Sequence, residues 1–292
     1  MKIVQTTLIF ISILLLVSCE DLVSDVEIEQ PKAKIVVIGF ISPDLPVNSI
    51  KIYESRPLYT PATESDETYP IITDASVYIF SEDDTAMMTF DYEYEEYRIS
   101  RVDFPVLKGK TYGITVTTTS GYIATSSCTV PTGDPPLLEL TNIDTIAIME
   151  DWVPEYSVYE MRAKVQFRDI EGKGHYYRVE AGQINWVEEQ PIPYTSEIGI
   201  AGKEALASDI NFDGETYHLT TNEFYARRDE RFRLHFTLSI TDRNYYNYHR
   251  GIMNFDDGNP FSEPTTIYSN IEGGLGIFSA YVQKDFVYDI NW

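Results

Sequence analysis

Between Phe232 and Ile240 every second residue is apolar: Phe232, Leu234, Phe236, Leu238 and Ile240 alternate with Arg233, His235, Thr237 and Ser239. A period of two gives an extended strand one apolar face; wound as a helix, the same residues would scatter around the cylinder. The pattern recurs where Met161, Ala163, Val165 and Phe167 face one way and Arg162, Lys164, Gln166 and Arg168 the other. It recurs again at Tyr177, Val179 and Ala181, and at Ala75, Val77 and Ile79. Half-buried strands follow from such alternation. Ile35-Val36-Val37-Ile38 is apolar at successive positions and predicts a strand covered on both faces. With 22 Tyr and 14 Phe, the composition supports the same β-rich reading.

Turn signals divide the remainder. Val47 to Tyr53 follows a Pro43-Asp44 turn, residues 56–74 read as a long loop, and Met87 to Tyr92 with Tyr97-Arg98-Ile99 predicts a hairpin. Gly109-Lys110-Thr111-Tyr112 leads a Tyr into a late strand, the form of the tyrosine corner of immunoglobulin-like sandwiches. Pro131-Thr132-Gly133-Asp134-Pro135-Pro136 is the clearest boundary. Beyond it, Glu171-Gly172-Lys173-Gly174 makes a turn. Asp242 has the chemistry of a helix N-cap, and Tyr245, Tyr248, Ile252 and Phe255 recur at helical spacing, so a helix is expected over 242–255, stopped by Asp257-Gly258-Asn259-Pro260. A glycine-rich turn then precedes a strand over Ile277 to Val282, with a short closing strand near Phe286 to Ile290. The expected fold is all-β with one or two short helices. An immunoglobulin-like β-sandwich over 33–132 is followed by a second antiparallel β-rich domain over 133–292.

The first 18 residues, MKIVQTTLIFISILLLVS, carry one charge, Lys2, and an apolar run too short to span a bilayer comfortably, as in a signal peptide. The run ends in Leu16-Val17-Ser18-Cys19, which resembles a bacterial lipobox. The Cys19 thiol would take a diacylglyceryl group as a thioether, Ser18 would fit the peptidase, and the freed amine would be acylated. Residues 19–32 then form an acidic tether. Its Glu20 and Asp21 resemble the surface-export signal of Bacteroidota lipoproteins, and the same residues also read as a solvated, self-repelling spacer. With Cys19 lipidated, Cys128 has no intrachain partner and is expected to be a buried apolar residue.

Charge excludes some functions. Lys plus Arg total 22 against 46 Asp plus Glu, a formal charge of −24. Nucleic acid needs neutralised phosphates, so no nucleic-acid partner is expected. The search for chemistry yields no catalytic, cofactor or metal residues. The four histidines, His175, His218, His235 and His249, lack metal spacing and have no nucleophile beside them. Gly273-Gly274-Leu275-Gly276 lacks the residues of a phosphate loop and reads as a turn needing positive φ. The stretches 211–215 and 254–259 could offer oxygens to calcium, but Asx turns explain them more simply. Tyr92 to Tyr97 and Tyr245 to Tyr248 could present ring faces to a sugar or peptide, or lie half buried. Arg162, Lys164 and Arg168, with Arg231 and Arg233, form a basic row that would meet an acidic partner or balance local acids across strands.

Five landmarks occur in one order: Cys19, the strand Pro31 to Gly39, Gly109-Lys110-Thr111-Tyr112, the Tyr-rich helix, and Ser269-Asn270-Ile271-Glu272-Gly273-Gly274-Leu275-Gly276-Ile277-Phe278. Together they resemble the Bacteroidota lipoprotein family catalogued as domain of unknown function 4249. The resemblance supplies no catalytic residues. It implies an outer-membrane lipoprotein, anchored in lipid through Cys19 and facing the exterior, that works beside a TonB-dependent receptor in uptake. A surface hydrolase acting on glycan or peptide, and a purely structural or adhesion module, are the alternative functions.

Overall fold

The computed structural model describes residues 33–55, 70–149, 157–185, 194–202, 205–227, 231–255 and 267–290. They form a mostly β protein with one α-helix, arranged as a large mixed sheet and a small antiparallel sheet. The first half supplies β1 (Ile35–Ile41), β2 (Val47–Glu54), β3 (Ser76–Phe80), β4 (Thr85–Asp91), β5 (Glu96–Ser100), β6 (Thr111–Thr117) and β7 (Ile123–Thr129). The second half supplies β8 (Leu138–Met149), β9 (Val158–Arg168), β10 (Tyr176–Asn185), β11 (Tyr194–Ile198), β12 (Leu206–Ser208), β13 (Thr216–Thr220), β14 (Phe224–Arg227) and β15 (Phe232–Thr241). A helix, α1 (Arg243–Asn254), and a last strand, β16 (Leu275–Ile290), complete the order.

The large sheet runs β11-β10-β15-β16-β1-β2-β5-β4-β3-β6-β7, with β12 on the edge of β10. In the small sheet β8 lies along β9, and β13 and β14 share the other edge of β9. The alternation in β9 and β15 has the expected result: Met161, Ala163, Val165 and Phe167 are buried, as are Phe232, Leu234, Phe236, Leu238 and Ile240. These residues join the core between the two sheets. The turn at Glu171–Gly174 therefore carries the chain from one sheet to the other and does not close a hairpin.

Two buried clusters lie on either side of Pro131–Pro136. One gathers Ile35, Val37, Ile50, Val77, Ile79, Ile114 and Val116 with their neighbours; the other gathers β9, β10 and β15. The sequence reading placed two successive units here and split the C-terminus into two strands. The structure differs in the second respect. β16 is one continuous strand of 16 residues, and it is parallel to β1 and antiparallel to β15. Its Phe278, Ala280 and Val282 enter the first core and Phe286 the second, with exposed Lys284 between them on the same face. The lysine is why two short strands are expected from the sequence: a charge interrupts the apolar period although the backbone ladder runs through it.

α1 starts one residue after its cap. Asp242 Oδ1 accepts the Tyr245 N–H at 2.8 Å and Oδ2 accepts the Ala280 N–H at 3.2 Å, so one carboxylate caps the helix and fastens it to β16. The expected stop at 257–260 lies outside the described residues, as does most of the 56–74 loop. The Tyr112 hydroxyl accepts the Leu107 N–H at 2.7 Å and donates to Pro105 O at 3.2 Å, tying β6 to the preceding loop. Cys128 is free and buried among apolar side chains, which pushes its thiol pKa well up.

Candidate functional site

β4 changes partner along its length. Its first half, Thr85 to Met88, pairs with β3, whereas Thr89 to Asp91 pairs with β5. The two strands part at this point and leave an open groove of about 590 Å³. Its walls are Ala86, Met87 and Thr89 from β4, Arg98 and Ile99 from β5, and Val47 from β2. Met87 is 55% exposed beside it. At the tip of the β4–β5 hairpin stand Tyr92 and Tyr94, 79% and 52% exposed. The Arg98 guanidinium lies 3.9 Å from the Tyr94 ring centroid and 3.2 Å from Asp91 Oδ2, so a cation is held flat against an aromatic face. Of the tyrosines in this run, Tyr97 is structural: its buried hydroxyl accepts the Ala75 N–H at 2.8 Å and donates to Ile72 O. Exposed rings, a flexible thioether and a paired arginine suit the recognition of a polar or aromatic surface.

α1 packs on β10, β12 and β16 of the large sheet. Phe40 of β1 packs edge-on to Tyr245 at 5.2 Å and lies 5.3 Å from the His249 ring. Arg178 Nη1 donates to His249 Nδ1 at 3.1 Å, and burial together with this cation lowers the His249 pKa to about 4. Burial raises Asp242 to about 7 against the lowering effect of its backbone hydrogen bonds. Tyr245 to Tyr248 therefore serve largely to seat the helix, with Tyr245 buried and its neighbours half-buried.

The other residues singled out in the sequence fall in different places. Cys19, Glu20 and Asp21 lie outside the described residues. The root of the segment that carries them is fixed: the Tyr122 hydroxyl donates to Ala33 O at 3.0 Å, and Lys34 N–H donates to Ser55 Oγ at 2.8 Å. Three of the five residues in the basic row are paired locally. Arg162 meets Glu223, Lys164 lies 2.6 Å from Asp144, and Arg233 meets Asp289. His218 is exposed on β13, and His235 lies 3.3 Å from Asp285. In the 211–215 stretch Asp213 Oδ1 accepts the Gly172 N–H at 2.8 Å.

His175 was not separable from the other histidines by spacing, yet the structure brings it to Asp169 and Asp209. Asp169 and His175 end the β9–β10 connection, six positions apart, and Asp209 follows 34 positions later, so no local motif marks them. Met87 and Arg98 of the groove were likewise invisible as a pair, because the change of partner along β4 leaves no signature in its residues.

A family model describing a domain of unknown function matches residues 23–286. The chain belongs to this family, DUF4249. A comparison with curated proteins returns no match. The DUF4249 match takes in both cores, the groove and the C-terminal glycine motif.

The geometry of that motif explains its residues. Asn270 Nδ2 donates to Phe278 O at 2.7 Å while its Oδ1 accepts the Phe278 N–H at 2.9 Å, closing the loop like a strand partner. Positive φ falls on Gly273 (+80°) and Gly276 (+109°), and not on Gly274. Gly274 is needed for space: a Cβ there would lie 2.7 Å from Ile35 O.

Proposed function

We propose that this chain is a non-enzymatic lipoprotein of the outer membrane, exposed to the exterior, which docks on a TonB-dependent receptor or presents cargo to it. The observation that carries this reading is Leu16-Val17-Ser18-Cys19 at the end of a short apolar run. An acylated Cys19 anchors the chain more firmly than a single-chain lipid would. Glu20 and Asp21 supply the export signal. From Cys19 to the first residue of β1, Ile35, the chain advances 16 residues, which span at most about 55 Å. The body therefore stays within reach of barrels in the same membrane. In this reading the first half is an immunoglobulin-like sandwich, supported by the hydrogen bonds of Tyr112 to the backbone just upstream, and the second half is a β-rich module beside it.

The groove between β4 and β5 is the docking surface in this account. Exposed Tyr92, Tyr94 and Met87 supply contact area at one place on a strongly acidic body. Aromatic anchors of this kind dominate protein interfaces, and net negative charge discourages self-association. The test is affinity purification of tagged protein from gently solubilised outer membranes, with wild type beside Met87→Glu and Tyr94→Ala. An integral β-barrel should co-purify with wild type and be lost from both variants while their melting temperatures stay unchanged. Purification of wild type without a barrel, or hydrolysis of a glycan or peptide library by the purified protein, would contradict the proposal.

A further inference from the structure

The connection from β9 to β10 meets the turn that follows β12. Asp169 follows β9, His175 precedes β10, and Asp209 opens a single 3-10 turn after β12. One potential ligand atom from each lies within 4.8 Å of the other two. Both carboxylates are buried, the Asp209 side chain being only 2% exposed. Among the described residues neither forms an ion pair with Lys or Arg. Their negative charge is met by dipoles. Gly174 and His175 N–H groups donate to Asp209 Oδ2 at 2.8 Å each, Gly214 N–H donates to Asp169 Oδ2 at 2.8 Å, and the Tyr177 hydroxyl donates to Asp169 Oδ1 at 2.6 Å.

One atom in this network has no hydrogen-bond partner. His175 Nδ1 is wholly buried and forms no hydrogen bond, although Asp209 Oδ2 is 3.4 Å away. With the imidazole proton on Nε2, Nδ1 turns its lone pair toward this carboxylate oxygen, a repulsion that a cation between them relieves. The separation fits such a charge. Zinc–nitrogen and zinc–oxygen bonds of about 2.0–2.1 Å at a tetrahedral angle place neighbouring ligand atoms about 3.3–3.5 Å apart. Asp169 offers its oxygen within 4.8 Å of the other two ligand atoms.

We propose that Asp169, His175 and Asp209 bind one divalent cation of the zinc class, with solvent completing the coordination. The imidazole selects a borderline metal over calcium, which takes oxygen ligands. Tyr177 and the backbone N–H donors hold the two carboxylates in place around it, as outer partners of metal ligands do. The ion would join the β9–β10 connection to the turn after β12, and its role is to stiffen the edge of the second core.

The test uses the full chain, purified in detergent and stripped with chelator, titrated calorimetrically with zinc chloride and separately with calcium chloride. One zinc per chain should bind saturably, and calcium should not compete. Asp169→Asn and His175→Ala should each weaken zinc binding at least about tenfold, which is about 1.4 kcal/mol. Their chelated melting temperatures should match that of chelated wild type, which separates ligand loss from unfolding. On wild type alone, the side-chain Nδ1 resonance of one histidine should shift on zinc addition. The absence of saturable binding, full affinity in both variants, or unmoved histidine Nδ1 resonances would each overturn the proposal.

Discussion

Gly276 offers the most demanding test of the way β16 docks on β1. It pairs with Val37 in the parallel ladder, with φ at +109°. An added Cβ would collide with the Val37 carbonyl oxygen and come within 2.9 Å of its carbonyl carbon and 3.0 Å of its nitrogen. All three atoms belong to the backbone of a central strand and cannot swing aside. Two costs therefore combine in Gly276→Ala: about 1–2 kcal/mol for an L-residue at positive φ and about 1–3 kcal/mol for overpacking. The sum, about 2–5 kcal/mol, corresponds to a drop in Tm of roughly 4–20 °C for a chain of this size. Two other glycines separate the terms. Gly121 has φ at +91° with open space around it, so Gly121→Ala carries the conformational cost alone. Gly274 carries the steric cost without positive φ, its Cβ falling 2.7 Å from Ile35 O. Calorimetric melting of the three variants should rank the loss Gly276 greatest and Gly121 least. A Gly276→Ala protein that melts within about 2 °C of wild type, or a Gly121→Ala protein that loses as much, would refute the reasoning.

Other consequences follow from the same coordinates. Reduction should leave the Tm of purified monomer unchanged within about 1 °C, because no disulfide loop constrains the unfolded chain, and native Cys128 should resist a thiol reagent until denaturant is added. Tyr112→Phe should cost about 1–2 kcal/mol by removing a hydroxyl bonded both to Leu107 N–H and to Pro105 O, seen as a lower urea midpoint at constant m. Asp242, raised to about 7 in the fold, keeps its proton there while the unfolded chain has lost it, so its contribution to stability is present at acidic pH and is lost as pH rises from about 4 through about 7. His249, lowered to about 4, acts oppositely and contributes stability that is lost as pH falls from about 6.5 through about 4. Tm measured against pH should therefore lose a falling slope in Asp242→Asn and a rising slope in His249→Asn; unchanged profiles in both would count against the burial of the α1 seat.

Much of the fold is written in short-range pattern. The alternation of β9 and β15, the Asp242 cap, the helix behind it and the turn before Tyr112 could all be read because each depends on residues close in sequence. β8 could not. Its register shifts between Leu140 and Asn142 and again between Thr145 and Ala147, and each bulge breaks the period of two. The parallel pairing of β1 with β16 was equally hidden, since nothing local in either strand names a partner more than 200 residues away. The same holds for the site chemistry. The likeness of Leu16 to Cys19 to a lipobox lies in contiguous residues, whereas the groove arises from one strand changing partners, and Asp169, His175 and Asp209 meet only after the chain has passed between the two sheets.

The central functional claim rests on Cys19, and lipid labelling addresses it most directly. Cells expressing wild type or Cys19→Ala are grown with a clickable palmitate analogue, and the protein is recovered from membrane and soluble fractions. The account predicts label and membrane residence for wild type, and an unlabelled, soluble Cys19→Ala protein, because acyl chains are the anchor. Label on both proteins, or on neither, would contradict it.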